Sequence, residues 1–217
     1  MHIVFLESLG VCECVISQLC EPLKKSGHTI TYYADRKEDE EELIRRGREA
    51  DIIVVSNIPL RKHFLDNCPN LKMISVAFTG LDHIDLEECK RRGITVRNAA
   101  GYSTYAVAEL AIGMMIAVYR KIVGGDAITR LGGDRKNFLG TELHQKTLGI
   151  IGTGAIGRQV AHLGLAFGCR IIAYNRTPRQ LENIRMVDKT TLLREADIIS
   201  LHIPLTAETK DFIGEAE

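Results

Sequence analysis

Short apolar runs alternate with amphipathic stretches along the first hundred residues. The runs at 2–6, 28–33, 51–56, 72–78 and 94–97 have the length and β-branched content of buried strands. Between them, 12–25, 38–48, 60–68 and 86–92 repeat their apolar positions at helical spacing. Pro22 distorts the first of these helices, Ser26-Gly27 ends it, and the acidic run 38–42 opens the second where the helix dipole favours negative charge. Five strands with helices between them predict an open parallel sheet, a doubly wound α/β domain.

The pattern then changes. Residues 106–118 are apolar nearly all round, interrupted by Glu109 and Gly113, with Ser103 or Thr104 as N-cap and Arg120 and Lys121 near the other end. This predicts a helix over 103–123. Its apolar part is too short to cross a bilayer, so a helix without a polar face is expected to be buried on several sides, between domains or across a subunit contact. The glycine-rich, polar stretch 124–140 reads as an exposed arm or loop.

From 147 to 179 the order is strand, glycine turn, helix, strand. Leu148 to Ile151 run into Gly152, and Gly152, Gly154 and Gly157 complete G-x-G-x-x-G where a strand hands over to a helix. The first glycine permits the tight turn, the second admits a pyrophosphate to the backbone, and the third lets helix and strand pack closely. The amides of the first helical turn, with the positive end of the helix dipole, face the phosphates. Ile156, Val160, Leu163 and Phe167 form one helical stripe, Gly168 closes it, and 170–174 is the next strand. A helix at 190–196 and a third strand at 198–202 follow, then Ile203-Pro204.

Composition sets limits on function. In 217 residues, Lys plus Arg equals Asp plus Glu at 28 each, so no net field draws nucleic acid or an anionic membrane. The N-terminus MHIVFLE lacks the pattern of a signal peptide, and the chain reads as cytoplasmic. Its six cysteines contain no C-x-x-C pair and are expected to be reduced, Cys12 and Cys14 included.

Four blocks together resemble the D-isomer-specific 2-hydroxyacid dehydrogenases: FTGLDHID (78–85), NAAGYSTYAVAEL (98–110), KTLGIIGTGAIGRQVA (146–161) and ADIISLHIPLTAET (196–209). The resemblance implies a flavodoxin-like substrate domain over 1–98 and a Rossmann dinucleotide-binding domain over 99–217, incomplete and entered by the helix 103–123. It implies hydride transfer between a nicotinamide and a small 2-oxo or 2-hydroxy acid such as glyoxylate, hydroxypyruvate or pyruvate, in a homodimer. Backbone amides of the turn at Thr79 and Gly80 would hold the substrate carboxylate. The cofactor would meet Thr104, Gly152, Gly154, Ala155, Ile156, Gly157, Asn175, Arg176, Thr177, Ile203, Pro204 and Thr209. His202 belongs to the family's H-x-P turn and is read as structural, and Glu109 as a hydrogen-bonding position at the domain joint as readily as a chemical one.

The end of the second strand carries Asn175-Arg176-Thr177 in place of the carboxylate that takes an NAD ribose, so the cofactor is NAD(P) with a lean toward NADP(H). The family's catalytic arginine, histidine and carboxylate belong to segments after the last matching block. No catalytic residue is therefore assigned, and the chain is expected to be a fragment without activity of its own. With three strands of a 3-2-1-4-5-6 sheet, the strand 148–151 is expected to stand at an exposed edge. The competing expectation is a non-enzymatic, dinucleotide-sensing interaction protein of the corepressor kind.

Overall fold

A computed structural model describes residues 1–217 except Arg135, Asn137, Pro178 and Ala216. The chain divides into two compact units, Met1–Tyr102 and Ser103–Glu217.

In the first unit, β1 (His2–Phe5), β2 (Thr29–Tyr32), β3 (Ile52–Val55), β4 (Met73–Val76) and β5 (Thr95–Asn98) form a parallel sheet in the order β2-β1-β3-β4-β5. That is the flavodoxin-like order, whose switch point lies between β1 and β3. Alternation along β1 divides the core. Val4 and Leu6 join Ile53, Val55, Ile74 and Val76 beneath Phe64 and Leu65 of α3 (Lys62–Asp66), while Ile3 and Phe5 meet Ile16 and Cys20 of α1 (Glu13–Lys25). The sheet is completed by α2 (Glu40–Gly47), capped by the Asp39 side chain, and α4 (Leu86–Arg91), capped by that of Asp85. Pro22 is accommodated inside α1.

Cys12 and Cys14 are paired as a disulfide, which corrects the expectation of six reduced thiols. Cys20, Cys68, Cys89 and Cys169 are free and buried.

In the second unit the predicted helix 103–123 is two helices, α5 (Thr104–Tyr119) and α6 (Ile122–Arg130). Lys121, at a left-handed φ of 53°, separates them. Much of the expected arm is therefore helical. Asp126 and Arg130 pair one turn apart at 2.8 Å, a small contribution against the cost of Gly124 and Gly125, and the Thr129 hydroxyl donates to the Gly125 carbonyl. Arg135 and Asn137 of that stretch, and Pro178 of the stretch 147–179, lie outside the described residues. Within its unit α5 buries Ala108, Ala111 and Ile112 but exposes Tyr105, Leu110, Met114 and Val118, so it is covered on one side only. Glu109 is exposed.

The second sheet is β8-β7-β6-β9, from β6 (Thr147–Ile151), β7 (Arg170–Tyr174), β8 (Arg185–Met186) and β9 (Ile198–Leu201), all parallel. This corrects two expectations. A fourth strand, β8, was too short to give a periodic signal, and β6 is interior, fully buried and paired on both sides, so β9 takes the edge. Helix α7 (Ala155–Ala166) lies on one face of β6 and α8 (Lys189–Glu195) on the other. Both approaches depend on small residues. A Cβ on Gly164 would meet Leu148 at 2.8 Å, and one on Gly149 would meet Leu192 and Ala196 at 2.9 Å.

Candidate dinucleotide site

The second unit gathers its candidate residues at the C-terminal ends of β6, β7 and β9, the end of a parallel sheet where ligands bind. Gly152 leaves β6 with φ at +95°, and a Cβ there would stand 2.5 Å from the His202 carbonyl oxygen and 2.8 Å from Ile203. A Cβ on Gly157 would overlap the Gly152 carbonyl oxygen. Gly154 differs, because nothing lies within 4 Å of the place its Cβ would take. It is the N-cap of α7 and brings no side chain to the first-turn amides of Ala155, Ile156 and Gly157. Two glycines are thus demanded by packing and the third keeps open space above a helix N-terminus. Thr153, between them, is buried, and its hydroxyl has no hydrogen-bond partner among the described residues. An open, uncapped helix end beside an unpartnered hydroxyl suits a pyrophosphate, so the residues present fit a dinucleotide.

Asn175, just after β7, ties the turn to the adjoining loop. Its Oδ1 accepts the Thr153 amide at 3.4 Å and its Nδ2 donates to the Thr177 carbonyl at 2.6 Å. Arg176 is exposed and donates to Glu208 at 2.9 Å. Between exposed groups such a pair contributes little. Beside them Tyr174 stacks on Phe212, with centroids 5.9 Å apart.

The segment after β9 closes the far side. The His202 amide donates to the Ile151 carbonyl at 2.7 Å, and its Nε2 lies 2.9 Å from the Ser200 hydroxyl. Burial holds the His202 imidazole below its ordinary value, which keeps it neutral. Ile203 packs on Ile151, Ile172 and Leu192. The Thr209 hydroxyl donates to the Pro204 carbonyl at 2.5 Å and accepts the Thr206 amide at 2.8 Å, so it shapes the loop that carries Pro204. Thr104 is half-buried in the first turn of α5, and no hydrogen bond links it to the glycine turn among the described residues. A larger cleft of about 960 Å³ on this unit opens among Thr147, Arg170, Arg185 and Glu195, at the opposite ends of the strands. Its position argues against a role with the glycine turn.

In the first unit, Thr79 and Gly80 follow β4, and the Asn98 amide group donates to the Thr79 carbonyl at 2.7 Å. Nearby, a cleft of about 670 Å³ is lined by Arg36, Asn57, Pro59, Phe78, Asp82 and His83. Three residues of its wall, Arg36, Asn57 and Ile58, are held from behind by a carboxylate that the sequence pattern did not single out. Glu7 is buried, and its Oε1 accepts the amides of Ser56 at 2.8 Å, Asn57 at 3.2 Å and Ile58 at 3.4 Å. Its Oε2 accepts from Arg36 at 2.7 Å. This cluster sits at the β1/β3 switch point. The only advance sign was a Glu closing an otherwise apolar strand run.

Residues 112–217 match the sequence profile described as "D-isomer specific 2-hydroxyacid dehydrogenase, NAD binding domain". The chain belongs to that family. It is 44% identical to the glyoxylate reductase of Thermococcus litoralis over 188 residues, which are 81% of this chain and 57% of that protein. Among solved structures, it superposes on an acyclic imino acid reductase (Bsp5) in complex with NADPH and D-Arg, with a TM-score of 0.86 at 33% identity, covering 96% of this chain and 67% of that one. It superposes likewise on the D-lactate dehydrogenase of Aquifex aeolicus complexed with NAD and lactic acid, with a TM-score of 0.80 at 33% identity and coverages of 96% and 62%. The chain therefore spans a little over half the length of the glyoxylate reductase it matches. The glycine turn falls inside the matched NAD binding domain. No helix among the described residues is long and apolar enough to cross a membrane.

Proposed function

We propose that this chain supplies the substrate unit, residues 1–98, and the opening part of the nicotinamide unit, residues 99–217, of a 2-hydroxyacid dehydrogenase. The reaction is hydride transfer between the nicotinamide and C2 of a small 2-oxo or 2-hydroxy acid, of the glyoxylate, hydroxypyruvate or pyruvate class. The observation that carries the reading is the glycine turn, with its open position at Gly154 above an uncapped helix N-terminus. Gly152, Gly154, Ala155, Ile156 and Gly157 hold the pyrophosphate, Ile203 and Pro204 edge the cofactor, Thr209 shapes that edge, and Thr104 approaches it from α5. Backbone amides at Thr79 and Gly80 take the substrate carboxylate. When bound, the nicotinamide gives or accepts the hydride. The enzyme works in the cytoplasm as a homodimer, without nucleic-acid or membrane partners.

Preference for NADP(H) follows from Asn175, Arg176 and Thr177. No carboxylate ends β7 to take a ribose hydroxyl, and the exposed Glu208 is a partner that a 2′-phosphate displaces from Arg176. Titrating the purified chain with NADPH and NADH, followed by nicotinamide fluorescence, tests this. NADPH should bind more tightly, and Arg176→Ala should weaken it roughly tenfold, about 1.4 kcal/mol, with NADH unaffected. Tighter NADH binding, unchanged in the variant, would overturn the preference. Residues 1–217 alone should not consume NADPH with glyoxylate, because no histidine here is assigned as the proton donor such chemistry needs. Turnover that scales with the concentration of the chain would refute this.

A further inference from the structure

The paired sulfurs of Cys12 and Cys14 stand apart from everything assigned above. Both residues are exposed where the loop after β1 enters α1, with their Cα atoms 5.3 Å apart, inside the range a disulfide spans. Cys12 is the N-cap of α1, and its Sγ accepts the Cys14 amide at 3.3 Å. A helix N-terminus stabilises a thiolate, and the thiolate is the form that exchanges with disulfides. Glu13, between the two, opposes this in part. The remaining cysteines contrast with the pair. Cys20, Cys68, Cys89 and Cys169 are buried, and burial pushes the Cys68 and Cys89 thiols up to about 11 and raises that of Cys169. Access selects one site.

We propose that Cys12 and Cys14 are a reversible dithiol–disulfide couple, the redox-modification site of this chain, oxidised by exchange with a small-molecule disulfide such as oxidised glutathione. One thiolate attacks a glutathione sulfur, releases one glutathione thiolate, and forms a mixed disulfide. The second thiolate then attacks the protein sulfur of that bond and expels the second glutathione. The two cysteines lose two electrons and two protons, and one external disulfide becomes two thiols.

A bond across one intervening residue constrains the unfolded chain little, so the fold gives it little stability and excess thiol reopens it. That makes the couple a switch in place of a structural staple, the role expected of a disulfide in a reducing compartment. It acts on a lightly held element, because α1 buries only Ile16 and Cys20 among its described residues. Closing the ring fixes the first turn of that helix.

The test equilibrates the full 217-residue chain in glutathione buffers of graded oxidation, quenches with acid, alkylates, and reads each cysteine by peptide mass. The peptide holding Cys12 and Cys14 should pass from doubly alkylated to internally bonded as the buffer becomes oxidising, and should return in reduced glutathione. Cys20, Cys68, Cys89 and Cys169 should alkylate only after denaturation. Cys14→Ser should leave Cys12 as a glutathione adduct and abolish the ring. Amide exchange at 13–17 should slow in the oxidised form. A pair that stays reduced in fully oxidised glutathione, a bond that resists excess reduced glutathione, or oxidation centred on another cysteine would each overturn the proposal.

Discussion

The carbonyl oxygen of His202 stands 2.5 Å from the place a Cβ on Gly152 would occupy, so the turn after β6 and the segment after β9 are packed backbone against backbone. Gly152→Ala must satisfy a φ of +95° and find room against His202, and nothing there is a flexible side-chain end except part of Ile203. The variant should lose at least about 1–3 kcal/mol of stability in urea denaturation, with dinucleotide binding lost alongside. Gly154→Ala separates the two roles. It meets nothing within 4 Å, so its stability should stay within about 1 kcal/mol of the parent while NADPH affinity falls. Equal affinity in Gly154→Ala and the parent would remove the open position from the site.

That contrast shows what the sequence made legible. Glycine spacing between a strand and a helix carried the β6–α7 turn, because each glycine has a local geometric reason. The packing face of α7 was less visible, since Gly157 and Gly164 lie against the sheet beside Val160 and Ala161, while Phe167 of the apolar stripe is exposed. Small residues buried for closeness leave no hydrophobic signal. Helix α6 was hidden because Gly124-Gly125 resembles a loop, while its support, the Asp126–Arg130 pair, is a surface contact. Glu7 was hidden for another reason. The amides it collects lie 49 to 51 residues away, and only the fold brings them together.

Glu7 should accordingly be costly to replace. Glu7→Ala leaves the Ser56, Asn57 and Ile58 amides without their acceptor and Arg36 without a buried partner, a loss of roughly 3 kcal/mol. Glu7→Gln keeps an acceptor oxygen and should cost about half as much. Circular dichroism during urea titration measures both. Equal stability in all three proteins would show that the cluster contributes nothing to the fold.

Two histidines, His83 buried and His202 half-buried, make stability depend on pH. Burial lowers the folded-state value of His83 in the first unit and of His202 in the second. The unfolded chain then binds more protons below the ordinary histidine value of about 6.5, so stability is complete above it and declines as pH falls from about 6.5 toward 5. Depressed carboxylates act in a lower window. Glu42, held at about 2 by hydrogen bonds from Arg45 and Arg46, loses its contribution only as pH drops below about 4. The urea midpoint should therefore fall between pH 7.5 and 5, and His83→Gln should flatten that slope. A midpoint constant across this range would contradict the lowered values of both rings.

The proposed homodimer rests on the exposed side of α5 and α6. Tyr105, Leu110, Met114 and Val118 on α5 are 67%, 63%, 56% and 73% exposed, and Val123 on α6 is 76% exposed. Leu110, Met114 and Val118 recur at helical spacing, so they form one stripe. An apolar stripe of this extent is unusual on a monomer and matches the core of an interface between copies. A lysine at position 118 would place a charge in that core without touching the buried Ala108, Ala111 and Ile112. Light scattering should give a dimer for the parent chain and a monomer for Val118→Lys, with unchanged circular dichroism. A parent chain that is monomeric at tens of micromolar would overturn the homodimer, and a variant that remains dimeric would place the subunit contact elsewhere.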